Sequence, residues 1–454
     1  MSARARNRRD SVVVAVVAAF ALAVLLATGP AGPRWQHRES TARQPMHLGS
    51  QQVAQMARRL PTNYTPTTRA VWNLPLGTHD QQYRIFRYMD RVIDAAPKGA
   101  VIRMAVFSFS EVDMARHLIA AHRRGVAVKL IFDDHHIYKA QRMLADELGT
   151  NPNHHSFVVF CHGSCRGESG GNMHDKFFLY SKAGDAHWVT MAGSNNITRH
   201  NAIAQWSDVY TVVDDYDLYV SFRNVFTQMK TQSPQEFPYQ QHVSSPYETQ
   251  FYPYPRVDMV NDPVYQSLEQ IRCDMTNPYG DPEPTDPTEP TDPTATPTAT
   301  PTADPTPTTT YPTATPEELQ EYGDGTGHTL VRIAMHAWNG SRGRYLAEKV
   351  GDLEAKGCNI RVIYGVGMGS WVLSYLEGHG VKVSKGTHKG VRTHEKLMIL
   401  SGAFGDDAAT KIVWTGSHNW SNGSLRRDET IFRIEDPEAF RQYRWDWWLQ
   451  WSRG

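Results

Sequence analysis

The sequence from Asn172 to Ser181 reads Asn-Met-His-Asp-Lys-Phe-Phe-Leu-Tyr-Ser, and Gly193-Ser194-Asn195-Asn196 follows it. The same pattern returns as Thr393-His-Glu-Lys-Leu-Met-Ile-Leu-Ser401, which Gly416-Ser417-His418-Asn419 follows. In each copy a histidine and a lysine stand two residues apart in an apolar, strand-like run. A period of two puts both side chains on the same face of a sheet. One such pair arises easily by chance, but two copies of the whole constellation indicate a function.

The residue types in the two copies suit a phosphodiester. Negative charge grows on the phosphoryl oxygens as the bond to phosphorus breaks, and Lys176 and Lys396 supply cations to hold it. Hydroxyl and amide groups can donate hydrogen bonds to the same oxygens. The candidates for these donors are Ser194, Asn196, Ser417 and Asn419.

The two histidines, His174 and His394, suit nucleophilic attack on phosphorus and proton transfer to the leaving oxygen. Attack by a histidine gives a covalent phosphohistidine and divides the displacement into two steps. Each ring also needs a partner that fixes its tautomer. Asp208 and Glu429 follow the two Gly-Ser-x-Asn turns at similar distances and are predicted as these orienting carboxylates. The predicted site uses no metal and no other cofactor.

The repeated pattern resembles the signature of the phospholipase D superfamily, His-x-Lys-(x)4-Asp followed by Gly-Ser-x-Asn. The resemblance implies that the two copies meet in one active site, which cleaves or exchanges phosphodiesters in phospholipids or nucleic acids. By analogy His174 is the nucleophile and His394 the general acid, although the sequence also allows the reverse. The chain departs from the signature at its aspartate, because positions 181 and 401 are both serine.

Composition indicates a soluble globular protein and mildly disfavours a nucleic-acid binder. Lys plus Arg and Asp plus Glu both number 47 in 454 residues, and the mean hydropathy is −0.51. Proteins that bind nucleic acid usually carry a basic excess, which is absent here overall.

The first residues predict export from the cytoplasm. Arg4, Arg6, Arg8 and Arg9 precede an uncharged apolar run from Ser11 to Thr28, and Gly29 and Ala31 provide small residues for cleavage. The run is long for a signal peptide, so residues 1–31 are predicted as a signal or as a retained anchor. Both alternatives place the body of the protein outside the cytoplasm, secreted or tethered.

Four cysteines in an exported chain favour disulfides. Cys161 and Cys165 are predicted to pair within a short loop, and the alternative, a zinc site with His162, lacks a second ligand pair. Cys273 and Cys358 flank a Pro/Thr-rich run and are candidates for a bridge between two halves.

Periodicity predicts an α/β fold built of two similar lobes. After a flexible lead-in over 32–64, residues 81–96 are predicted as a helix, 101–109 as a strand, 114–124 as a helix and 126–132 as a strand. This strand-helix-strand order is typical of a sheet with helices on its faces. Polar residues 133–136 lie at a strand end, where such sheets bind ligands, and a plain polar loop is slightly favoured over a substrate or metal contact.

The second lobe repeats the first. Residues 330–338 (Leu-Val-Arg-Ile-Ala-Met-His-Ala-Trp) match 101–109 (Val-Ile-Arg-Met-Ala-Val-Phe-Ser-Phe). The predicted boundaries are 65–275 for the first lobe, 276–317 for a Pro/Thr-rich linker that cannot bury a core, and 318–454 for the second lobe. Residues 233–275 are expected to wrap the first lobe, and an apolar interface is expected to position the lobes.

The C-terminal run 440–451 predicts a helix that holds four tryptophans. Packing on the second lobe is favoured for it over docking to lipid.

The pattern as a whole predicts an exported phospholipase D-type phosphodiesterase that acts on phospholipids at a membrane surface. An extracellular nuclease with the same chemistry is one alternative, and nucleic acid is then the partner. A catalytically silent surface binding protein is the other, suggested by Ser181 and Ser401. No obligate protein partner is predicted.

Overall fold

A computed structural model describes residues 63–168, 170–276, 313–386 and 388–453. The predicted signal or anchor, nearly all of the lead-in and most of the Pro/Thr-rich run lie outside these residues. Within them, no helix combines the length and the apolar character that crossing a lipid bilayer requires.

The first lobe holds one mixed sheet with helices packed against it. Its strands are β1 (Arg69–Trp72), β2 (Val101–Val106), β3 (Ala127–Asp133), β4 (Phe157–Cys161), β5 (Lys176–Ala183), β6 (Ala186–Gly193), β7 (Gln205–Trp206) and β8 (Asp208–Val212). Its helices are α1 (His79–Gln82), α2 (Arg84–Ala95), α3 (Val112–Arg123), α4 (Lys139–Leu148), α5 (Arg199–Ala204) and α6 (Tyr216–Met229). Seven of the strands form the sheet in the order β1-β8-β6-β5-β2-β3-β4, in which β2, β3 and β4 run parallel.

The second lobe repeats this arrangement. Its strands are β9 (Gln240–Ser244), β10 (Tyr247–Tyr252), β11 (Ile271–Arg272), β12 (Leu330–Asn339), β13 (Asn359–Met368), β14 (Lys382–Ser384), β15 (Arg392–Thr393), β16 (Lys396–Phe404), β17 (Asp407–Gly416), β18 (Trp420–Ser421) and β19 (Glu429–Ile434). Its helices are α7 (Pro263–Glu269), α8 (Pro316–Glu321), α9 (Gly340–Ala355), α10 (Ser370–Gly378) and α11 (Pro437–Trp451), with a 3-10 helix at Asn422–Arg426.

Residues 240–272 belong to the sheet of the second lobe, so the expectation that 233–275 wraps the first lobe was wrong. The main order of this sheet is β14-β13-β12-β16-β17-β19-β10-β9. Strand β10 pairs with β19 in the same way that β1 pairs with β8 in the first lobe. The second lobe therefore takes the strands at one edge of its sheet, β10 and β9, from chain that precedes the Pro/Thr-rich run.

An apolar interface joins the lobes, as expected. Phe222 of α6 lies 4.9 Å from Phe251 and 6.1 Å from Phe432, between ring centroids, and both partners belong to the second sheet. In return, Tyr443 of α11 lies 6.2 Å from Tyr210 in the first sheet. The last helix of each lobe thus packs against the other lobe, and burial of these large rings stabilises the pair.

Both predicted disulfides are present, Cys161–Cys165 and Cys273–Cys358. The second one does not bridge the two halves, however. Cys273 follows β11, which pairs with β16, and Cys358 precedes β13, so both cysteines lie in the second lobe. Disulfides of this kind are typical of extracellular or secreted proteins.

The chain on either side of the Pro/Thr-rich run meets at one point of the second lobe. Ala314 N donates to Met275 O at 2.9 Å, and Met275 N donates to Gly327 O at 2.9 Å. Both ends of the run are therefore anchored side by side, and the run does not span the distance between the lobes.

Two tryptophans of the C-terminal helix pack on the second lobe, which is the alternative that the sequence favoured. Trp447 is buried and donates from Nε1 to Ile333 O at 2.9 Å, and Trp451 is half-buried. Trp445 and Trp448 stay exposed and stack on each other at 4.9 Å.

The two disulfides close loops of very different length, with sequence separations of 85 and 4. The chain-entropy relation predicts that Cys273→Ala with Cys358→Ala lowers the free energy of unfolding by about 4.6 kcal/mol, against about 2 kcal/mol for Cys161→Ala with Cys165→Ala. Guanidinium unfolding of both double variants measures the difference. Equal losses would show that loop closure is not the source of the stabilisation.

Candidate active site

The two motif copies meet in one site through a reciprocal exchange of backbone hydrogen bonds. His174 N donates to Asp428 O of the second lobe, and His394 N donates to Trp206 O of the first, both at 2.9 Å. On each side the preceding residue adds a short parallel pairing, Met173 with Asp428 and β15 with β7. Each motif histidine is therefore positioned by the opposite lobe.

The histidines lie just before the motif strands, not within them. Strands β5 and β16 begin at Lys176 and Lys396. Each lysine Nζ donates to the carbonyl oxygen of its own histidine, at 2.6 Å for Lys396 and His394. The spacing of two residues therefore places each lysine next to its histidine, as the sequence predicts. A hydrogen bond across the start of the strand holds the two residues together.

Glu429 contacts His174 as an orienting carboxylate would. The Nδ1 of His174 lies 2.9 Å from Glu429 Oε2, and both side chains are buried. With Glu429 ionised, Nδ1–H donates to it and leaves Nε2 with a free lone pair. Burial raises the pKa of Glu429 to about 8, against the lowering effect of Lys176 and Arg427. Burial, followed by the charges of Lys176 and Lys396, holds the pKa of His174 well below its usual value.

His394 has a different partner. Its Nδ1 lies 3.0 Å from the carbonyl oxygen of Ser194, and a carbonyl can only accept. The proton is therefore on Nδ1 and the Nε2 of a neutral ring is bare. Burial, followed by the charge of Lys396, holds the pKa of His394 well below its usual value.

Asp208 does not match Glu429 by position, although the sequence predicts the two as equivalents. Gly193 pairs with Val209, and Gly416 pairs with Ile431, so Asp208 matches Thr430. The counterpart of Glu429 is then Ser207. A shift of one residue along a strand turns a side chain to the other face of the sheet.

The carboxylate of Asp208 consequently points away from the histidines. It accepts hydrogen bonds from Ser194 Oγ at 2.5 Å, Thr415 Oγ1 at 2.5 Å and Tyr443 OH at 2.8 Å. Since the last two donors come from the second lobe, Asp208 joins the lobes beneath the site. It also fixes Ser194, whose carbonyl holds His394.

The two lysines provide positive charge from both lobes. Burial lowers the pKa of Lys176 to about 8, although Glu429 and Asp175 act to raise it. Burial lowers the pKa of Lys396 further, and the charge of Lys176 adds to that effect. Because the charge of Lys176 disfavours the charged form of Lys396, a phosphate anion bound beside both lysines would stabilise the Lys396 ammonium.

The asparagines of the two Gly-Ser-x-Asn turns keep their donors available. Asn196 Oδ1 accepts from Ser108 N at 3.3 Å, and Asn419 Oδ1 accepts from Ala337 N at 3.1 Å. Neither Nδ2 amino group has a hydrogen-bond partner among the described residues, so both can donate to a phosphoryl oxygen.

The serines of those turns are engaged inside the protein, contrary to the expectation that they bind phosphate. Ser194 Oγ donates to Asp208, and Ser417 Oγ accepts from Thr430 N at 3.0 Å and lies 3.5 Å from Asp175. Both serines are at most 1% exposed. They shape the turns that present the asparagines.

The serines that replace the signature aspartate lie far from the histidines. Ser181 and Ser401 come five residues after the motif lysines, about 16 Å along the strands. Ser181 Oγ accepts from Val101 N at 2.8 Å, and Ser401 Oγ accepts from Gly323 N at 3.1 Å. They serve as local backbone anchors, which removes the main support for a catalytically silent protein.

The polar segment 133–136 begins at the last residue of β3, and one of its residues supports the site. Asp133 is buried and accepts from Met173 N, next to His174, at 2.9 Å. Asp134 bonds His162 Nδ1 at 2.9 Å. Because Cys161 and Cys165 form a disulfide, they have no thiolates to offer the alternative zinc site.

Three residues near the histidines escaped prediction. His336 lies 4.6 Å from His394 between ring centroids and donates from Nδ1 to Thr393 O at 3.1 Å. Phe107, its counterpart in the first lobe, lies 4.8 Å from His174. Arg427 is close enough to act on the pKa of Glu429. The alignment of 101–109 with 330–338 could have identified two of them, because it places Phe107 and His336 at equivalent positions near the ends of their strands.

A family model described as cardiolipin synthase, PLD-like domain matches residues 90–230 and 327–451, more than half of the chain. The chain belongs to the phospholipase D superfamily. The match covers both lobes and both copies of the motif, so the fold and the family expected from the repeat are confirmed. No curated protein sequence matches the chain.

Solved structures match the chain at low sequence identity. Phosphatidylserine synthase of Haemophilus influenzae matches with a TM-score of 0.51 and 11% identity, over 89% of this chain and 90% of that one. The phospholipase D family member Nuc of Salmonella typhimurium matches with a TM-score of 0.28 and 20% identity, over 37% of this chain and 96% of that one. Polyphosphate kinase of Porphyromonas gingivalis matches with a TM-score of 0.47 and 10% identity, and this chain covers 56% of it.

Glu429 and Asp208 have different partners, so replacing each by its neutral amide should affect activity and stability differently. Glu429→Gln removes the charge that stabilises the His174 imidazole, so we expect kcat to fall about 10²–10⁴-fold. Asp208→Asn weakens bonds to Ser194, Thr415 and Tyr443 and should lower the free energy of unfolding by about 1–3 kcal/mol, with a loss in kcat below about ten-fold. Hydrolysis of bis(p-nitrophenyl) phosphate and thermal unfolding measure the two effects. Equal losses of kcat would contradict the assignment.

The pKa of Lys176 predicts an alkaline limb in the activity profile. Because this pKa is lowered to about 8, the ammonium charge is present below that pH and lost above it. We expect kcat/KM to fall by about ten-fold per pH unit above the limb, since this parameter reports the free enzyme. Rates measured from about pH 6 to about pH 10 test this, with unfolding followed by circular dichroism over the same range. A profile that stays flat to the alkaline end would refute it.

Proposed function

We propose that this protein is an exported phosphodiesterase that hydrolyses phospholipids, or passes their phosphatidyl group to another alcohol, through a phosphohistidine. The observation that carries the chemistry is the joining of His174, backed by Glu429, with His394 and two lysines in one cleft. The observation that favours a lipid substrate is exposed apolar surface beside that centre, at Val366 and Trp371.

In the first step His174 Nε2 attacks phosphorus and forms a P–N bond while the P–O bond to the head group breaks. Positive charge appears on the His174 ring, and the Glu429 carboxylate on Nδ1 stabilises it. His394 gives the proton on its Nε2 to the departing oxygen. A bound phosphodiester favours the protonated form of His394, because its negative charge opposes the effect of Lys396.

In the second step His394 Nε2, now bare, accepts a proton from water or an alcohol as its oxygen attacks phosphorus. The P–O bond forms, the P–N bond breaks, and His174 returns to its starting state. Lys176, Lys396 and the amides of Asn196 and Asn419 hold the charge that develops on the phosphoryl oxygens in both steps. The different partners of the two histidines support His174 as the nucleophile.

The lipid assignment is supported by apolar surface at the edge of the site. Val366, Met368 and Leu373 line a cleft of about 400 Å³ that abuts the backbone at Thr393. Val366 is 54% exposed and Trp371 is 36% exposed at the start of α10. Large exposed apolar side chains beside a site are typical of surfaces that meet lipid or another apolar partner. The two disulfides support export.

A nuclease is the second candidate, because basic residues lie next to the same cleft. Lys385 and Arg392 line it together with Tyr364. Cations with an aromatic ring can hold a single strand of nucleic acid.

Phosphatidylcholine vesicles and single-stranded DNA, assayed side by side in chelator, separate the two candidates. We expect choline release and an about 10³-fold or larger loss of it in His174→Ala and in His394→Ala. His187→Ala is the matched control, since His187 is exposed on β6. Trapping of label from substrate radiolabelled at phosphorus on the wild type, denatured in alkaline detergent because a P–N bond hydrolyses in acid, but not on His174→Ala, would identify the nucleophile.

Other results would change the assignment. Cleavage of DNA without release of choline would make the protein a nuclease. Turnover that persists in His174→Ala, with label still trapped on the protein, would exchange the roles of the two histidines.

A further inference from the structure

A basic stretch of chain leads into the second catalytic histidine. Four residues between Lys382 and Arg392 are lysine or arginine, and none is aspartate or glutamate. The corresponding stretch of the first lobe, 162–172, holds one arginine and one glutamate. The two approaches to the site therefore differ in charge, although the motifs themselves are alike.

The cleft next to this stretch lies beside a bulge in β13. Met335 pairs with Tyr364 and Ala337 pairs with Gly367, so His336 stands opposite two residues, Gly365 and Val366. Such a bulge bends the strand and is common beside active sites. The cleft is lined by Tyr364, Val366, Met368, Leu373, Lys385 and Arg392.

The inner end of the cleft touches the backbone that carries His394. A Cβ on Gly365 would come within 2.7 Å of the carbonyl oxygens of His336 and Thr393. Only glycine permits this approach. Arg392 lies two residues before His394, so its side of the cleft and the catalytic ring share one short segment.

The reaction geometry gives this cleft a role. His174 attacks phosphorus in line with the departing oxygen, which leaves on the opposite side, at the general acid His394. A group that occupies space next to His394 is therefore the leaving group, and in the second step the acceptor. This step rests on the proposed function, in which His174 is the nucleophile.

We infer that the cleft between β13 and the Lys382–Arg392 segment binds the leaving head group, and that this head group carries an anionic group of its own. Lys385 and Arg392 pair with a carboxylate or phosphate beyond the scissile bond, and Val366, Met368 and Leu373 contact its carbon skeleton. The side near His174 carries Asp133 and Asp134, which disfavour an anion there. The substrate class is thus phospholipids with acidic head groups.

Vesicles that contain equal parts of phosphatidylcholine and phosphatidylserine test the inference. Both lipids share one surface, so the ratio of serine to choline released equals the ratio of kcat/KM and is independent of vesicle binding. We expect a ratio of about ten or more for the wild type, and a fall of about ten-fold in Lys385→Ala and in Arg392→Ala. Lys385→Arg should retain most of the preference, because it keeps the charge.

Lys98→Ala is the matched control, an exposed lysine at the opposite end of β2 from the site. A ratio that stays within about two-fold of the wild type in both alanine variants overturns the inference while the proposed function stands.

A second readout separates this result from failure of the proposed function. If the wild type releases neither head group, the proposed function fails, and calorimetry with glycerol phosphate and glycerol on His174→Ala then judges the anion site alone. If glycerol phosphate binds and the added Lys385→Ala substitution abolishes this binding, the anion site is upheld. If glycerol phosphate and glycerol bind equally well, the anion site is overturned. Single-stranded DNA cleaved by the wild type and more slowly by Lys385→Ala would assign the cleft to a nucleic-acid strand instead.

Discussion

The exchange of two backbone hydrogen bonds between the lobes is the constraint on which the active site depends. His174 N bonds to the chain just before Glu429, and His394 N bonds to the chain just before Ser207. Neither lobe contains a complete site, because the residue that orients each histidine comes from the other lobe. The packing of Phe222 and Tyr443 across the interface supports this constraint, since a small rotation of one lobe would move each histidine away from its partner.

The same exchange explains why the two halves of a repeated sequence can take different tasks. Non-equivalent positions hold the two rings: Glu429 presents a carboxylate to His174, whereas Ser194, from a different part of the repeat, presents a carbonyl oxygen to His394. A carboxylate stabilises a ring that becomes positive on forming a bond to phosphorus, whereas a carbonyl fixes the tautomer with less electrostatic effect. Phe107 and His336 add a second difference at the matching ends of β2 and β12. The pseudo-symmetric scaffold thus holds an asymmetric centre.

The repeated motif and the period-two strands sufficed to predict the fold. The family resemblance of the motif implied that the two copies meet, and the short loop between Cys161 and Cys165 predicted their pairing. Prediction failed where the answer depended on register or on distant pairing. Counting residues from the turns made Asp208 equivalent to Glu429, but the strand pairing places Thr430 there, and only the ladder reveals that shift. The sequence of residues 240–252 does not indicate which lobe they join, because the pairing of an edge strand is determined by tertiary structure. Helices α4 and α10 and strand β4 were likewise not predicted.

The anchoring of both ends of the Pro/Thr-rich run at Met275 and Ala314 has an architectural consequence. The covalent path between the lobes is the short stretch that follows α6, and the run is an excursion that leaves and re-enters one corner of the second lobe. Its length and composition can then drift during evolution without altering the distance between the histidines. The same corner is a natural place to insert a foreign domain or a fluorescent reporter.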